Sequence, residues 1–452
     1  SYTYDMEFVI KISQFLLSLS LLIVLHELGH FIPAKLFKTR VEKFYLFFDV
    51  KYSLFKKKIG DTVYGIGWLP LGGYVKISGM IDESMDKEQM AQPPQPWEFR
   101  SKPSWQRLII MLGGVTVNFI LAYVIYVAMS FSYGDTDISL DSIKDGYRIE
   151  NKLFLEFGFK TGDKILAVNG TEIKSYKDLR KSIVSGRKYT ILRDGQTEEI
   201  SLPKDFLGQY SSSDRKNGTF ELRIPFMIGN ISDSSLNKGV DIKQGDILLS
   251  INGEQLRYFD ELKNKLEAFK NQSVNAIFLR GEQEITRSLK VDSEGKFGIQ
   301  PAIKESRFSE LGYFNIQHKD YTFLESFGGG VEKFNEQVSE YFGQLRQIFN
   351  PDTGAYKGVG GFKAIFDVFP STWSWSAFWS LTAFLSIMLG VLNLLPIPAL
   401  DGGHVMFLLY EMVSGRKPSD KFMEYAQTAG FFILIALVLF ANGNDVFKAI
   451  FD

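Results

Sequence analysis

Apolar residues in this chain are concentrated near its two ends. Four stretches are long and apolar enough to cross a bilayer, which takes about 20 residues. They lie at about 8–30, at 108–134, within 370–400 and at 425–444. The second and third carry no charged residue, and such long uncharged stretches would be unusual in a soluble chain. We therefore predict four membrane-spanning helices rather than buried helices of a large soluble protein.

Basic residues flank these spans unevenly. Eight lysines and arginines lie between residues 35 and 58, three more lie at 100–107, and three lie at 416–421. Loops rich in Lys and Arg remain in the cytoplasm. We therefore place these loops in the cytoplasm, and both termini and the segment 135–370 on the opposite side.

The loop after the first span contains an unusually apolar stretch, YGIGWLPLGGYVKI at 64–77. β-forming residues on either side of a Gly/Pro turn predict a β-hairpin. A hairpin that dips into the membrane would explain the apolar composition, provided that protein or water covers its backbone. An ordinary surface hairpin is the alternative.

The segment between the second and third spans contains an internal repeat. GDKILAVNG at 162–170 matches GDILLSING at 245–253, and each copy continues into a predicted short helix and a hairpin. This unit resembles the PDZ domain in its circularly permuted bacterial form. PDZ domains bind peptides at a sheet edge, although two copies can also serve as spacers or steric filters. The amphipathic residues 321–369 lie either on the outer membrane surface or under the repeats.

Composition narrows the chemistry. The chain has 452 residues, a net charge of −1 and no cysteine. The charge gives no electrostatic support for nucleic-acid binding, and the lack of cysteine excludes disulfides, thiolate metal sites and cysteine catalysis. Any metal must therefore use His, Asp or Glu. Of the four histidines, His318 lies in a polar stretch and is expected on the surface.

The first span ends in HELGH at 26–30. Two imidazoles four residues apart on a helix, His26 and His30, can bind one zinc ion, and Glu27 beside them can act as a general base. A catalytic zinc needs a third protein ligand and an open position.

The third span ends in NLLPIPALDGGH at 393–404. Two prolines break the helix there. Asp401 follows a long uncharged run, where an ionisable residue is costly and usually functional. The topology places Asp401 at the same end of the membrane as His26 and His30, so it is the expected third ligand. His404 is either an alternative ligand or a residue that supports the ligands.

HExxH in a first span and NxxPxPxLDGG at the end of a third together resemble the site-2 protease family of intramembrane zinc metalloproteases. The similarity is closest to the branch that regulates sigma-E and carries tandem PDZ domains. It covers essentially the whole chain, including GGYV at 72–75 and the glycine pair at 113–114 with Asn118.

The resemblance implies roles for single residues. Those that would bind Zn²⁺ are His26, His30 and Asp401, with Glu27 as the general base. Those that would hold substrate are Asn393, Pro396, Pro398, Gly72, Gly73 and Tyr74. Asn393 can alternatively cap a broken helix, Asn118 can simply bond between helices, and Gly113 with Gly114 can serve helix contact.

The resemblance also implies an architecture: a polytopic α-helical protein of the bacterial inner membrane with two inserted extracytoplasmic α+β PDZ domains. The expected segments are 6–134 for two spans and the hairpin loop, 135–224 and 225–305 for the PDZ domains, 306–369 for an amphipathic linker, and 370–452 for two further spans. The segments begin at Met6, the expected native start.

Three kinds of partner are expected. They are the lipid bilayer, a peptide C-terminus at the PDZ domains, and single-span membrane proteins already trimmed by another protease, such as an anti-sigma factor or a signal-peptide remnant. The competing function is a membrane-anchored PDZ scaffold with a vestigial metal site. An intact Glu27 argues against it, since a scaffold has no use for that carboxylate.

Overall fold

The computed structural model of this chain describes residues 2–81, 87–212 and 218–451. The first part begins with a long helix that carries the HELGH sequence, α1 (Tyr2–Leu36). Four strands follow: β1 (Val41–Leu46), β2 (Phe48–Ile59), β3 (Thr62–Leu69) and β4 (Tyr74–Ile77). Two helices complete this part: α2 (Lys87–Ala91) and α3 (Ser104–Tyr133).

The middle of the chain, as far as it is described, consists of short strands and helices. Its strands are β5 (Asp135–Ile138), β6 (Tyr147–Arg148), β7 (Lys164–Val168), β8 (Thr171–Glu172), β9 (Lys188–Arg193), β10 (Gln196–Ser201), β11 (Glu221–Leu222), β12 (Met227–Ile231), β13 (Ile247–Ile251), β14 (Glu254–Gln255), β15 (Ser273–Arg280), β16 (Gln283–Lys290), β17 (Ile299–Ala302) and β18 (Ile316–Lys319). Its helices are α4 (Lys152–Glu156), α5 (Tyr176–Lys181), α6 (Phe206–Ser211), α7 (Leu262–Glu267) and α8 (Glu305–Glu310).

The last part is helical. Its helices are α9 (Phe323–Phe349), α10 (Phe362–Val368), α11 (Trp375–Asn393), α12 (Asp401–Ser414) and α13 (Asp420–Phe451). Among the described residues, four helices are long and apolar enough to cross a membrane: Asp5–Leu36, Ser104–Tyr133, Trp375–Asn393 and Asp420–Phe451. These helices coincide with the four predicted spans, so the apolar pattern located them correctly.

The chain forms two compact units. The membrane unit comprises Ser1–Gly134, Asp320–Arg346 and Gly358–Asp452. The repeat unit comprises Asp135–Lys319 and Gln347–Lys357.

In the membrane unit, α3 lies between α1 and α11 and packs along both. The sequence predicts that the amphipathic segment lies either on the outer membrane surface or under the repeats. Instead, α9 packs Phe334, Val338 and Tyr341 into an apolar cluster with residues of α3 and α11. The helical spacing of its apolar residues is therefore used to bury one face of α9 against membrane helices.

The four strands after α1 form one mixed sheet in the order β2-β3-β1-β4. β1 runs parallel to β3 and antiparallel to β4. The predicted hairpin across 64–77 is therefore wrong in its pairing, because β1 lies between the two strands that flank the turn. The local hairpin is instead β2–β3, closed by a tight turn at Gly60 and Asp61 in which Gly60 has a φ of 61°. β4 is left at the edge of the sheet.

The repeat unit contains the predicted tandem motif. In each copy a strand (β7 or β13) ends in an Asn-Gly turn whose asparagine, Asn169 or Asn252, has a φ of about 50°. A short helix (α5 or α7) and a two-stranded hairpin (β9–β10 or β15–β16) follow. The predicted order of elements is confirmed in both copies. His318 lies exposed on β18, as expected, and contacts the Thr136 hydroxyl at 2.9 Å.

Candidate metal centre

Close packing of α1 against α3 positions the two imidazoles. A Cβ added at Gly113 would lie 1.8 Å from the carbonyl oxygen of Gly29, so both positions must be glycine for the helices to approach this closely. A Cβ added at Gly114 would lie 2.5 Å from Nε2 of His30 and 2.7 Å from Cε1 of His26. The glycines of α3 thus form the wall against which His26 and His30 pack.

Each imidazole is held through its Nδ1 atom. Nδ1 of His30 lies 2.8 Å from the backbone carbonyl of Ile110, and Nδ1 of His26 lies 3.0 Å from Nδ2 of the Asn118 carboxamide. The two Nε2 atoms therefore face a common point and lie 3.3 Å apart. A histidine that binds metal through Nε2 carries its proton on Nδ1 and needs an acceptor there. Ile110 supplies one directly, and the Asn118 amide supplies one when its oxygen faces the ring.

The break between α11 and α12 brings the carboxylate to this point. A Cβ at Gly402 would lie 2.3 Å from the carbonyl oxygens of Leu394 and Leu395, so the connecting loop folds tightly over the start of α12. Asp401, the first residue of α12, then lies with its Oδ2 atom 3.4 Å from Nε2 of His26 and 3.2 Å from Nε2 of His30.

These three ligand atoms lie within 4.8 Å of one another, and they form the group of metal-binding type found in the described part of the chain. Oδ2 of Asp401 is buried and has no hydrogen-bond partner among the described residues. A buried carboxylate oxygen without a hydrogen bond is costly unless a cation compensates it. Two imidazole nitrogens and one carboxylate oxygen are ligands that zinc uses in catalytic sites, so the residues fit a zinc ion.

A cavity of about 420 Å³ opens beside these atoms. The predicted site residues that line it are His26, Glu27, His30, Asp401, Asn393, Gly73, Tyr74 and His404. Gly72, Pro396 and Pro398 are not among its lining residues. Pro398 instead packs near Gly430 of α13, where an added Cβ would lie 3.0 Å from the proline ring. The cavity thus extends from the metal centre along the whole of β4, whose four residues all line it.

The contacts of two predicted residues and the position of a third bear on their roles. Asn393 donates from Nδ2 to the carbonyl of Leu389 at 2.9 Å, a bond within the last turn of α11. Tyr74 donates its hydroxyl to Asp49 at 2.7 Å, which fixes the start of β4. His404 lies nearly one turn after Asp401 on α12 and outside the converging group.

Sequence reasoning missed two contributors to this site. The carbonyl of Ile110 is a backbone group, and no side-chain pattern could indicate its contact with His30. The other is Gln427 of α13, which lines the same cavity. Its sequence signal was available, since it is a carboxamide just inside the predicted fourth span.

Comparison with known proteins agrees with this chemistry. The model of peptidase family M50 matches residues 14–437. A "putative zinc metalloprotease" of Neisseria meningitidis is 25% identical over 458 residues, covering 96% of this chain and 98% of that protein. Proteins of the same description from Fusobacterium nucleatum (28% identical; 95% of this chain, 96% of that protein) and Thermotoga maritima (25%; 96% and 98%) are similar along almost their full lengths.

The family model spans nearly the whole chain. It includes the HELGH helix, the second span with its glycine pair, the repeat unit, and the NLLPIPALDGGH sequence at the end of the third span. The chain therefore belongs to peptidase family M50, and it is a membrane-bound zinc metalloprotease of the site-2 type.

Proposed function

We propose that this enzyme cleaves single-span membrane proteins within the bilayer, with His26, His30 and Asp401 as zinc ligands and Glu27 as general base. One observation carries this proposal. Ligand atoms from a first and a third apolar segment converge on a buried point beside an open cavity, within a unit built from membrane-spanning helices. A metal site between such helices is not expected in a soluble zincin.

Each residue of the proposed site has a separate chemical role. Zinc bound here would polarise the scissile carbonyl and lower the pKa of a water molecule to about 7. Glu27 takes a proton from the attacking water and passes it to the leaving amide nitrogen. Ile110 and Asn118 keep the imidazoles oriented through their Nδ1 atoms. The place of Glu27 beside the ligand atoms also counts against a scaffold with a vestigial site.

A substrate helix must unwind before its peptide bond can be attacked, because helical carbonyls are already hydrogen-bonded. The β4 edge offers a replacement partner. Gly73, Tyr74 and Val75 line the cavity, and the Glu27 side chain lines it as well. An unwound substrate that adds to this edge would lie directly beside the general base.

The charged loops support an orientation. Segments rich in Lys and Arg follow the HELGH end of α1 and form the loop between α12 and α13. We therefore place the metal centre toward the cytoplasm and the repeat unit on the outer side of the bacterial inner membrane. Substrates would arrive after another protease has removed their outer domains, as for an anti-sigma factor or a signal-peptide remnant.

The second repeat is the better candidate for a peptide site. A cavity of about 640 Å³ lies between α7 and residues 295–300 of the second copy, and Lys263 lines it. In the first copy, the hydroxyl of Tyr176 donates to the carbonyl of Phe220 at 2.8 Å and ties α5 to the residue that precedes β11. The residue 83 positions later is Phe259, which has no hydroxyl to do this. We assign to the second repeat, as a PDZ domain, the capture of a peptide C-terminus.

Lys263→Glu is expected to weaken binding of a fluorescent peptide with a free C-terminal carboxylate at least fivefold, since it replaces an attractive charge by a repulsive one. The measurement is fluorescence anisotropy on the full chain in detergent. Arg180→Glu, the position 83 residues earlier in the first repeat, should leave the affinity unchanged. Equal affinity of the wild type for the free and the amidated peptide would contradict carboxylate capture.

The intramembrane reaction itself is tested in proteoliposomes with a tagged reporter that has one apolar span. We expect cleavage inside the span, mapped by mass spectrometry, and loss of cleavage on zinc chelation with recovery on adding Zn²⁺. The matched control is the same reporter with a folded outer domain still attached, which should be cut at least tenfold more slowly. Cleavage confined to the loops outside the span, or cleavage that survives chelation, would refute the proposal.

A further inference from the structure

The carboxamide of Gln427 is a polar group that is turned inward on a helix with mostly apolar side chains. It lies on α13, a helix whose apolar side chains are largely exposed, for example Phe432 at 65% and Leu439 at 67%. Gln427 is only 3% exposed. Its side chain makes no hydrogen bond within the residues that the structure describes, although it lines the cavity beside the metal centre. Its oxygen and nitrogen are not among the described buried side-chain atoms that lack a partner, so the carboxamide is open to the cavity and free to pair with a ligand there.

The packing of α13 explains why Gln427 faces this cavity. Gly430 lies one turn further along the same face. A Cβ added at Gly430 would lie 2.7 Å from the backbone nitrogen of Ala399 and 3.0 Å from Pro398. Gly430 thus lets α13 approach the loop that leads to Asp401. This contact turns the Gln427 side of α13 toward the same loop and the cavity behind it.

Two kinds of hydrogen-bonding surface therefore line one cavity: the β4 edge around Tyr74 and Val75, and the side chain of Gln427. A strand has two edges. A substrate segment that adds to β4 satisfies the backbone groups of one edge and leaves those of the other without a partner. Water is scarce at membrane depth, so these groups need protein partners. A carboxamide has one acceptor and two donors, and it can pair with a peptide group in both directions.

We propose that Gln427 is a substrate-binding residue that pairs, through its carboxamide, with a backbone peptide group of the unwound substrate on the edge that faces away from β4. The proposal rests on the proposed function, because it assumes a substrate strand in this cavity. The ligand chemistry is an extended peptide backbone, and no particular substrate side chain is required.

Kinetics on the full chain in proteoliposomes test this role. Gln427→Met keeps the length of the side chain and removes its hydrogen bonds, so KM for the single-span reporter is expected to rise about tenfold with kcat nearly unchanged. Gln427→Asn, which retains the amide but shortens its reach, should give an intermediate KM. Tyr425→Phe is the matched control, since this residue is 66% exposed on the same helix. Its kinetic constants should equal those of the wild type.

Zinc content and thermal unfolding are measured on the same variants. If Gln427→Met keeps both KM and kcat within twofold of wild type, or if it loses zinc or unfolds at a clearly lower temperature, the proposed contact is wrong. Neither result affects the proposed function, which requires only that the wild-type chain cuts within the span. A wild-type chain that does not cut there refutes the proposed function instead.

Cross-linking gives an independent readout without turnover. The chain has no cysteine, so Gln427→Cys introduces a single thiol. In a Glu27→Gln background, this thiol should form a disulfide under oxidising conditions with reporter cysteines placed within about two residues of the scissile bond, since disulfides require Cα atoms within about 7 Å. Tyr425→Cys should give none. Cross-links of equal yield along the whole span would contradict a defined contact.

Discussion

Glu27→Gln is expected to lower kcat for cleavage of a single-span reporter by about a thousandfold or more, while zinc remains bound at the wild-type level. The substitution keeps the size of the side chain and removes its ability to accept a proton. General base catalysis typically contributes a factor of about 10² to 10⁴. Glu27 lines the cavity without belonging to the three converging ligands, so the metal site should remain intact.

The measurement pairs cleavage kinetics with zinc analysis by mass spectrometry. Asp401→Ala is the informative comparison, because it should lose zinc affinity as well as activity. Glu7→Gln, an exposed acid at the start of the same helix, is the matched control and should behave as wild type. If the Glu27→Gln enzyme cuts at a rate similar to wild type, Glu27 is not the base. If it loses zinc, Glu27 instead supports the metal.

The membrane-spanning helices could be located from sequence because their signal is local and strong. A run of about 20 apolar residues has few alternatives to a transmembrane helix. The tandem repeat was equally accessible, since both copies carry the same Asn-Gly turn at Asn169 and Asn252. In these cases each element depends on its own residues.

The pairing of the strands could not be predicted from the sequence in the same way. The sequence placed β-formers on both sides of the 70–73 turn, which made a hairpin the simplest expectation. The structure inserts β1 between β3 and β4, and the tight turn at Gly60 pairs β3 with β2 instead. Which strand fills a sheet position depends on contacts between distant residues. The edge position of β4, on which the proposed substrate contact depends, could only come from the fold.

The group formed by His26, His30 and Asp401 could be proposed from sequence because metal chemistry restricts which residues can take part. Without cysteine, and with four histidines in the chain, few residues could complete a site with His26 and His30. The side chains that surround them were less predictable. The contact of Ile110 with His30 is made by backbone, and the direction of Gln427 is set by how α13 packs at Gly430. Likewise, the apolar face of α9 indicated a helix but not its burial against α3 and α11.

Gly114→Ala is expected to lower zinc affinity by about a hundredfold and to reduce cleavage in parallel. Elsewhere in a helix, alanine is favoured over glycine by roughly 0.5–1 kcal/mol. Here the added methyl group would lie 2.5 Å from Nε2 of His30 and 2.7 Å from Cε1 of His26, well inside van der Waals contact. Neither ring can retreat easily, because Ile110 holds one and Asn118 holds the other. Residues that only support metal ligands typically cost 10- to 100-fold in affinity.

The control for this prediction is Gly443→Ala on α13, where an added Cβ meets nothing within 4 Å among the described residues. It should retain zinc and activity and be slightly more stable. Zinc affinity is measured by competition with a chelator, and helix content by circular dichroism. If Gly114→Ala binds zinc as tightly as wild type, then the imidazoles do not need the wall that α3 provides. If helix content falls as well, the glycine serves helix packing, and the metal centre depends on it only indirectly.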